Sequence, residues 1–190
     1  MSCRLWEKQS SMDNYIITTE RLGLRRWVDT DTQPFIEMNS DPDVMKYFPK
    51  LLSEEETLLM IQRIHHGFEK NGFGLFAVEN KRTFELLGFT GFSIPGFESY
   101  FTPCIEIGWR YKKKAWGQGF ATEAANACLQ YGFSKLGFNK IVSFTATINI
   151  NSEKLMQRIG MKKMNEFDHP NIAKTHPVCR HVLYEITCAG

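Results

Sequence analysis

The stretch WGQGFATEA, from Trp116 to Ala124, decides the fold of this chain. It follows a run with strand character and opens a helix with an apolar face. Gly117 and Gly119 lie within three positions, which lets the backbone take positive φ and approach a ligand closely. Successive N–H groups there, with a helix N-terminus, suit a pyrophosphate. The stretch predicts a phosphate-binding loop, although a glycine turn beside a solvated basic stretch explains these residues equally well on their own.

The residues before this loop add charge and a candidate base. Three consecutive lysines, Lys112 to Lys114, precede the loop and could pair with phosphates. Before them, CIEIGWR from Cys104 to Arg110 is typical of a strand. Glu106 on this strand could accept a proton from an incoming ammonium, directly or through water. The alternative is an ordinary surface glutamate on an alternating strand.

A third informative stretch, NINS from Asn149 to Ser152, opens a short helix that Ile159-Gly160 ends. Ser152 is predicted to cap this helix. Its hydroxyl could also donate a hydrogen bond to a departing thiolate, and the two interpretations are compatible.

Hydrophobic periodicity predicts eleven elements, seven strands and four helices, which include those that carry the motifs. Asp29 and Ser53 are expected as helix N-caps, and Gly72 as the end of the second helix. The predicted strands are 20–27, 74–79, 84–93, 104–111, 139–146, 161–167 and 179–187. The predicted helices are 29–39, 53–71, 117–136 and 152–159. This order gives an α+β fold with a mixed sheet and excludes a regular doubly wound fold.

Composition narrows the class of protein. The 190 residues fit one domain, with 43% hydrophobic and 23% charged residues. A formal net charge of +2 argues against nucleic acid or a membrane surface as partner. Five cysteines without a CxxC pair favour a reducing compartment, and no secretory or spanning segment is visible, so we expect a cytoplasmic protein. We expect residues 1–14 to form a flexible leader and 15–188 the domain.

The C-terminal region is rich in potential metal ligands. His169, His176, Cys179 and His181 crowd there beside Asp168. Their spacing matches no standard zinc pattern, so no metal is expected. We expect the loop 168–181 instead to form the side of the site where the incoming ammonium would bind.

Several other reactive or aromatic side chains are expected to be structural. Cys104 and Cys128 fall in apolar patterns typical of inert core thiols. Five phenylalanines could line an acceptor pocket, but core packing is expected for most of them. They are Phe73, Phe76, Phe89, Phe92 and Phe97.

Taken together, six stretches resemble the GNAT superfamily of N-acetyltransferases. The stretches are TTERLGLR from Thr18, DPDVMKYF from Asp41, GFTGFS from Gly88, IEIGW from Ile105, WGQGFATEA from Trp116 and NINSEKLMQRIGM from Asn149. More narrowly they resemble the RimJ/RimL-like branch, which acts on ribosomal-protein N-termini. The resemblance spans roughly residues 15 to 188. It implies a three-layer fold with a twisted, mostly antiparallel mixed sheet that splays at its central parallel strands, flanked by about four helices.

The resemblance also implies a role for individual residues. The backbone of Ile107, Gly108 and Trp109 would pair with the pantetheine arm of acetyl-coenzyme A, and Asn149 would bond that arm. Ser152 would lie near the thiol, and Glu106 matches the family's strand carboxylate. The pyrophosphate would be held by Lys114, Trp116, Gly117, Gln118, Gly119, Phe120, Ala121 and Thr122.

Two positions depart from the superfamily pattern. Trp116 stands where glutamine or arginine usually begins the phosphate loop, although tryptophan is common in this branch. The last helix offers no tyrosine as general acid, so Ser152 is the candidate.

The implied activity is direct attack of a neutral amine on acetyl-coenzyme A, without an acyl-enzyme and without a metal. The acceptor is left open among a protein N-terminus, a polyamine, an amino acid and an aminoglycoside, and the chain is expected as a monomer or homodimer. Two alternatives remain: a non-catalytic sensor that binds acyl-coenzyme A, and an α+β binding domain without coenzyme A.

Overall fold

The computed structural model describes residues 14–188, which fold into eight strands and four α-helices. The strands are β1 Ile17–Thr18, β2 Leu22–Arg25, β3 Leu75–Asn80, β4 Leu86–Ser93, β5 Glu106–Tyr111, β6 Lys140–Ala146, β7 Lys162–Asp168 and β8 Arg180–Thr187. The helices are α1 Thr32–Ser40, α2 Glu54–Asn71, α3 Phe120–Ser134 and α4 Ile150–Arg158. Within this part of the chain, no helix is long and apolar enough to cross a membrane. The predicted leader lies outside the described residues except for Asn14.

The strands form one sheet in the order β1-β2-β3-β4-β5-β6-β8-β7. Every neighbouring pair is antiparallel except β5 and β6, which run parallel. These two strands share a single residue pair, Glu106 with Val142, and Val142 N–H donates to the Ile105 carbonyl at 2.8 Å. Beyond that pair the strands part. The predicted α+β class and the splayed mixed sheet are confirmed.

Helices cover both faces of the sheet and make the three layers. On one face α3 packs on β4 and β5, and Gly132 permits the close approach, because a Cβ there would lie 2.8 Å from Phe92. On the other face α1 places Phe35 against Trp27 and Phe89, with ring centroids 4.5 and 6.0 Å away. Burial of such large aromatic surfaces is the main stabilising contribution to this core.

A buried ion network joins β2 and β3 to the 3₁₀ turn Asp29–Asp31. The Arg25 guanidinium donates to both oxygens of Asp31 at 2.6 and 2.9 Å, and to Glu79 at 2.7 and 3.0 Å. All three side chains are buried. Burial alone would lower the pKa of Arg25, but its bonds to Asp31 and Glu79 hold that pKa above its usual value.

Helix α2 begins and ends as the sequence predicts. Ser53 accepts from Glu56 N–H at 3.1 Å, and the Glu56 carboxylate accepts from Ser53 N–H at 3.0 Å, which is a capping box. Gly72 ends the helix in the left-handed region at φ 76°.

Two predicted caps are wrong. Asp29 caps no α-helix, because residues Asp29–Asp31 form a 3₁₀ turn before α1 begins at Thr32. The side chain that serves this turn is that of Asp31, whose carboxylate accepts from Val28 N–H at 3.0 Å. Ser152 does not cap α4 either. Asn149 does, accepting from Ser152 N–H at 3.3 Å.

Several strand limits also differ from prediction. Within the predicted strand 20–27 only β2, Leu22–Arg25, is a strand. The short strand β1 precedes it, and the turn between them is stabilised by Thr19, whose hydroxyl accepts from Leu22 N–H at 2.9 Å. Strand β4 begins at Leu86, because Phe84 lies in the β3–β4 turn at φ 58°. Strand β5 begins at Glu106 and not at Cys104, and Cys179 precedes β8.

Candidate active site

A cleft of about 1110 Å³ opens where β5 and β6 part. The loop before α3, the N-terminal turn of α4 and the segment 43–49 complete its walls. It is at the upper limit of small-molecule sites, so it has room for a large cosubstrate and a second molecule. Eleven of the residues predicted for the site line it: Glu106, Gly108, Trp109, Trp116, Gly117, Gly119, Phe120, Ala121, Thr122, Asn149 and Ser152.

The loop before α3 has the backbone form that a phosphate site needs. Gly117 and Gly119 take φ of 72° and 80°, and Gly119 is the N-cap residue of α3. A Cβ at Gly117 would meet no atom within 4 Å, so the space beside it is open. The Trp116 indole donates to the Tyr111 carbonyl at 2.9 Å, which fixes the start of the loop.

Arg21 holds this loop in place from the β1–β2 turn. It donates to the Gln118 carbonyl at 2.9 Å and to Glu123 at 2.7 Å, and it lies 4.5 Å from the Phe120 ring centroid. Sequence reasoning missed this role, although Arg21 lies in the motif TTERLGLR. A charged residue that anchors a loop a hundred positions away has no local sequence signal.

The lysines before the loop do not converge on the cleft. Lys113 pairs with Asp43 at 2.5 Å and Lys114 with Glu85 at 2.9 Å, all four side chains being exposed. The Gln118 side chain donates to the Lys114 carbonyl at 2.7 Å. The Ile107 side chain is buried in the core, so only its backbone faces the opening between the strands. Cofactor roles for Lys114, Gln118 and Ile107 stay predictions.

Glu106 lies at the point where β5 and β6 meet. Its Oε2 accepts from the Ser93 hydroxyl at 3.0 Å, and its Oε1 points along the strand, 3.7 Å from where a Cβ at Gly108 would be. Burial raises the pKa of Glu106 to about 7, because the apolar surroundings disfavour its charge, and the Ser93 bond opposes this only in part. A carboxyl that titrates near neutral pH is suited to accept and return a proton.

Ser152 faces Glu106's strand from the first turn of α4. Its Oγ accepts from the Trp109 indole at 3.3 Å and from the Asn149 amide at 3.1 Å. Since both acceptor positions are used, the hydroxyl proton is available to a third group in the cleft. The same Asn149 amide donates to Thr145 at 3.0 Å, which fixes the residue between α4 and β6.

The wall opposite β5 is aromatic and includes two histidines. Phe144, His169 and His181 line the cleft, and the two imidazole rings lie 5.1 Å apart. Burial lowers the pKa of both histidines, so both are neutral at pH 7. The loop between β7 and β8 thus contributes to the cleft through His169. Among residues 14–188, no group of three or more His, Cys, Asp and Glu is placed to hold a metal ion.

The five phenylalanines considered for the pocket separate into two groups. Phe73, Phe76, Phe89 and Phe92 are buried in the main core, and of these Phe89 also lines the cleft. Phe97 belongs to a second cluster beneath the histidine wall, with Phe101, Phe144 and Phe167. Cys128 is buried in the main core, and burial raises the pKa of its thiol.

Arg110 is a further cleft residue that the sequence did not single out. It lies two residues beyond Gly108 on β5, donates to the Asn39 side chain at 2.5 Å and lies 4.1 Å from the Phe48 ring centroid. An arginine on an alternating strand is usually solvated, so nothing in its sequence context signalled burial.

The loop before α3, the open strand pair, the Glu106 carboxyl and the Ser152 hydroxyl all line one cleft. The family model described as an acetyltransferase (GNAT) domain matches residues 21–162. The chain belongs to the GNAT acetyltransferase family and is an N-acetyltransferase, and members of this family use acetyl-coenzyme A.

Relatives and solved structures agree with this assignment. The chain is 34% identical to the uncharacterized protein YkkB of Bacillus subtilis (strain 168), over 76% of this chain and 84% of that one. It is 30% identical to the uncharacterized N-acetyltransferase YnaD of the same organism, over 80% and 85%. A GNAT acetyltransferase from Bacillus anthracis superposes with a TM-score of 0.74 at 28% identity, over 90% and 97%. A spermidine N-acetyltransferase from Vibrio cholerae, in complex with CoA and spermine, shares the fold with a TM-score of 0.70 at 20% identity, over 89% and 96%.

Proposed function

We propose that this enzyme moves the acetyl group of acetyl-coenzyme A to a primary amine in the cleft between β5 and β6. The observation that carries the proposal is the single residue pair between these strands, at Glu106 and Val142. Past that pair the β5 backbone faces a cleft instead of a neighbouring strand. Its N–H and C=O groups can therefore pair with an amide-containing chain such as pantetheine, as an added strand would.

The loop and α4 suit the remaining parts of the cosubstrate. The backbone of residues 116–122 offers N–H groups at the N-terminus of α3 to a pyrophosphate. Lys154 and Arg158 are exposed, lie one turn apart on α4 and line the same cleft, so they add positive charge for phosphate groups. Asn149 lies between them and the strand opening, where it would bond the pantetheine arm.

The chemistry follows from the groups at the meeting point of the strands. Glu106 takes a proton from the substrate ammonium, and the neutral amine attacks the thioester carbonyl. The C–N bond forms as the C–S bond breaks, and the second amine proton passes to the thiolate. Ser152 donates a hydrogen bond to that sulfur while charge develops on it, which stabilises the transition state. Positioning both substrates in one cleft supplies much of the rate.

Calorimetry with acetyl-coenzyme A tests the cosubstrate directly. Wild type should bind it, and Gly119→Trp should not, because an indole at this left-handed position blocks the loop's approach to the pyrophosphate. Gly137→Trp is the control for the strain of a side chain at positive φ, since Gly137 also has positive φ but lies outside the cleft. Equal binding by Gly119→Trp and wild type would rule out this loop as the phosphate site.

The acceptor, the branch of the family, the cellular location and the oligomeric state are part of the same proposal. The acceptor is a small-molecule amine or a protein N-terminus, and the narrower RimJ/RimL-like assignment rests on the sequence motifs. We place the enzyme in the cytoplasm on the grounds given by its composition. We expect a monomer or homodimer from the resemblance to the family.

A further inference from the structure

The protein has two buried arginines that differ in their charged partners. Arg25 is held by the two carboxylates Asp31 and Glu79. Arg110 is equally buried, yet no carboxylate among residues 14–188 pairs with it, and its Nε has no hydrogen-bond partner there. Within that part of the chain, the one hydrogen-bond partner of its side chain is the neutral Asn39 amide. Without a counter-ion, burial lowers the pKa of Arg110 to about 10.

A buried charge without a counter-ion costs free energy, which a bound anion would recover. Arg110 is not enclosed in the core, because its side chain lines the cleft. Phe48 lies 4.1 Å from its guanidinium carbon and Phe89 5.5 Å, so two rings keep water from its faces. An anion in the cleft would meet a desolvated cation, where charge-assisted hydrogen bonds are strongest.

Arg110 lies on the same face of β5 as the candidate base. Glu106 and Arg110 are four residues apart, which puts both side chains on one face with about 13 Å between their Cα atoms. Both side chains reach into the cleft, so the Glu106 carboxyl and the Arg110 guanidinium can lie closer together than the two Cα atoms do. One molecule can therefore place an amine at Glu106 and a second group at Arg110.

The remaining charges of the cleft do not favour a second ammonium on that molecule. Among the described lining residues the carboxylates are Glu106 and Asp43, and Asp43 already pairs with Lys113. Lys46 lies on the same segment as Asp43, and the histidines of the far wall are neutral at pH 7. A polyamine would find no free acid at the Arg110 end.

We propose that the acceptor is an amine that also carries a carboxylate, which Arg110 binds while the amine lies at Glu106. This inference rests on the proposed acetyl transfer and names the acceptor's chemical class. The spacing of the two side chains along β5 favours a carboxylate several bonds away from the amine. It fits an ω-amino acid or a short peptide with an acidic residue near its N-terminus.

Three acceptors of equal chain length test the inference: 6-aminohexanoate, 6-aminohexanamide and 1,6-diaminohexane. Their reacting amines are alike, and the far end is negative, neutral or positive. We expect kcat/KM to fall in that order, by at least tenfold from carboxylate to ammonium at low salt. Arg110→Met should bring the carboxylate-to-carboxamide ratio close to one, and Arg110→Lys should keep part of it. Lys135→Gln, which removes an exposed charge at the end of α3, should leave the ratio as in wild type.

The outcomes separate this inference from the proposed function. Acetylation that is fastest with the diamine, or a ratio that survives Arg110→Met, overturns the carboxylate assignment while acetyl transfer stands. If none of the three amines is acetylated, their binding to the protein saturated with coenzyme A is measured by calorimetry. Equal binding, or tighter binding of the diamine, then also overturns it. Failure of acetyl-coenzyme A itself to bind would overturn the proposed function.

Discussion

At the residue scale, Glu106 combines a half-buried carboxyl with a place at the end of an open strand pair. Its raised pKa means that the carboxyl is largely protonated below neutral pH and cannot then act as a base. The same shift links the residue to stability. A carboxyl whose pKa rises on folding contributes most below its unfolded pKa of about 4.5, and that contribution is lost as pH rises through about 7.

Glu106→Gln should therefore change both activity and stability. We expect kcat to fall by about 10²- to 10⁴-fold, because a positioned base contributes that much. Wild-type kcat should rise with pH and level off above about 7, and the variant should lack this rise. The variant should also be the more stable protein at pH 8, as measured by urea unfolding. An unchanged kcat and pH profile would remove Glu106 from the mechanism.

Ser152 makes a separate prediction, because its two accepted hydrogen bonds direct its own proton outward. Ser152→Ala should lower kcat by about tenfold to a hundredfold, the value of a hydrogen bond to a charged group. KM for acetyl-coenzyme A should stay near the wild-type value. Ser134→Ala, at the exposed end of α3, is the control and should not affect either constant. A rise in KM with kcat intact would instead assign Ser152 to cosubstrate binding.

At the element scale, the loop before α3 depends on Gly117 and Gly119, because both take left-handed backbone conformations that are unfavourable for residues with a Cβ. Gly117 and Gly137 form a useful pair. Both have φ near 70°, and neither has an atom within 4 Å of a built Cβ. They differ in place, because Gly117 lines the cleft and Gly137 lies in the α3–β6 turn.

Alanine at either position should cost about 1 to 2 kcal/mol of stability, since the left-handed conformation is strained for any residue with a Cβ. Thermal unfolding should show similar losses for Gly117→Ala and Gly137→Ala. Only Gly117→Ala should weaken acetyl-coenzyme A binding. Similar affinities for both variants would show that the loop's form is needed for folding alone.

The sequence predicts elements well wherever one local pattern decides them. Ser53 with Glu56 and Gly72 predict the limits of α2, because capping acts within one turn. The prediction fails where a distant partner decides. The predicted cap Asp29 lies in a 3₁₀ turn whose Asp31 carboxylate accepts hydrogen bonds from Arg25 in the core. Asn149 caps α4 in place of Ser152, whose hydroxyl accepts a hydrogen bond from Trp109 across the cleft.

The site shows the same division between local and distant causes. The loop glycines and the position of Glu106 on its strand could be predicted, since both depend on short motifs. The raised pKa of Glu106 could not, because it depends on burial by elements far apart in the chain. Arg21 and Arg110 gave no signal for the same reason.

At the scale of the whole molecule, the network of Arg25, Asp31 and Glu79 joins β2, the 3₁₀ turn Asp29–Asp31 and β3. Removing its cation leaves the buried carboxylates of Asp31 and Glu79 without their shared counter-ion, although Asp31 keeps its bond from Val28 N–H and Glu79 its bond from the Tyr15 hydroxyl. Arg110 pairs with no carboxylate among the residues that the structure describes, so its removal leaves the Asn39 side-chain carbonyl without that donor.

Arg25→Met should therefore cost about 3 to 5 kcal/mol in unfolding free energy, the usual loss when one partner of a buried pair is removed. Arg110→Met should cost clearly less, despite equal burial and the same change of side chain. Urea unfolding followed by circular dichroism compares the two. A larger loss for Arg110→Met would mean that its charge is needed for folding.

The single residue pair between β5 and β6 leaves the sheet with two halves joined chiefly at one end. A molecule whose backbone-like amides occupy the gap completes the sheet, and binding to the folded form alone raises stability as its concentration exceeds its dissociation constant. The amide proton of Trp109, which lies on the β6 side of β5, should then exchange with solvent slowly in the saturated protein and quickly without it. The lifetime of this enzyme against proteolysis would in that way follow the supply of its own acetyl donor.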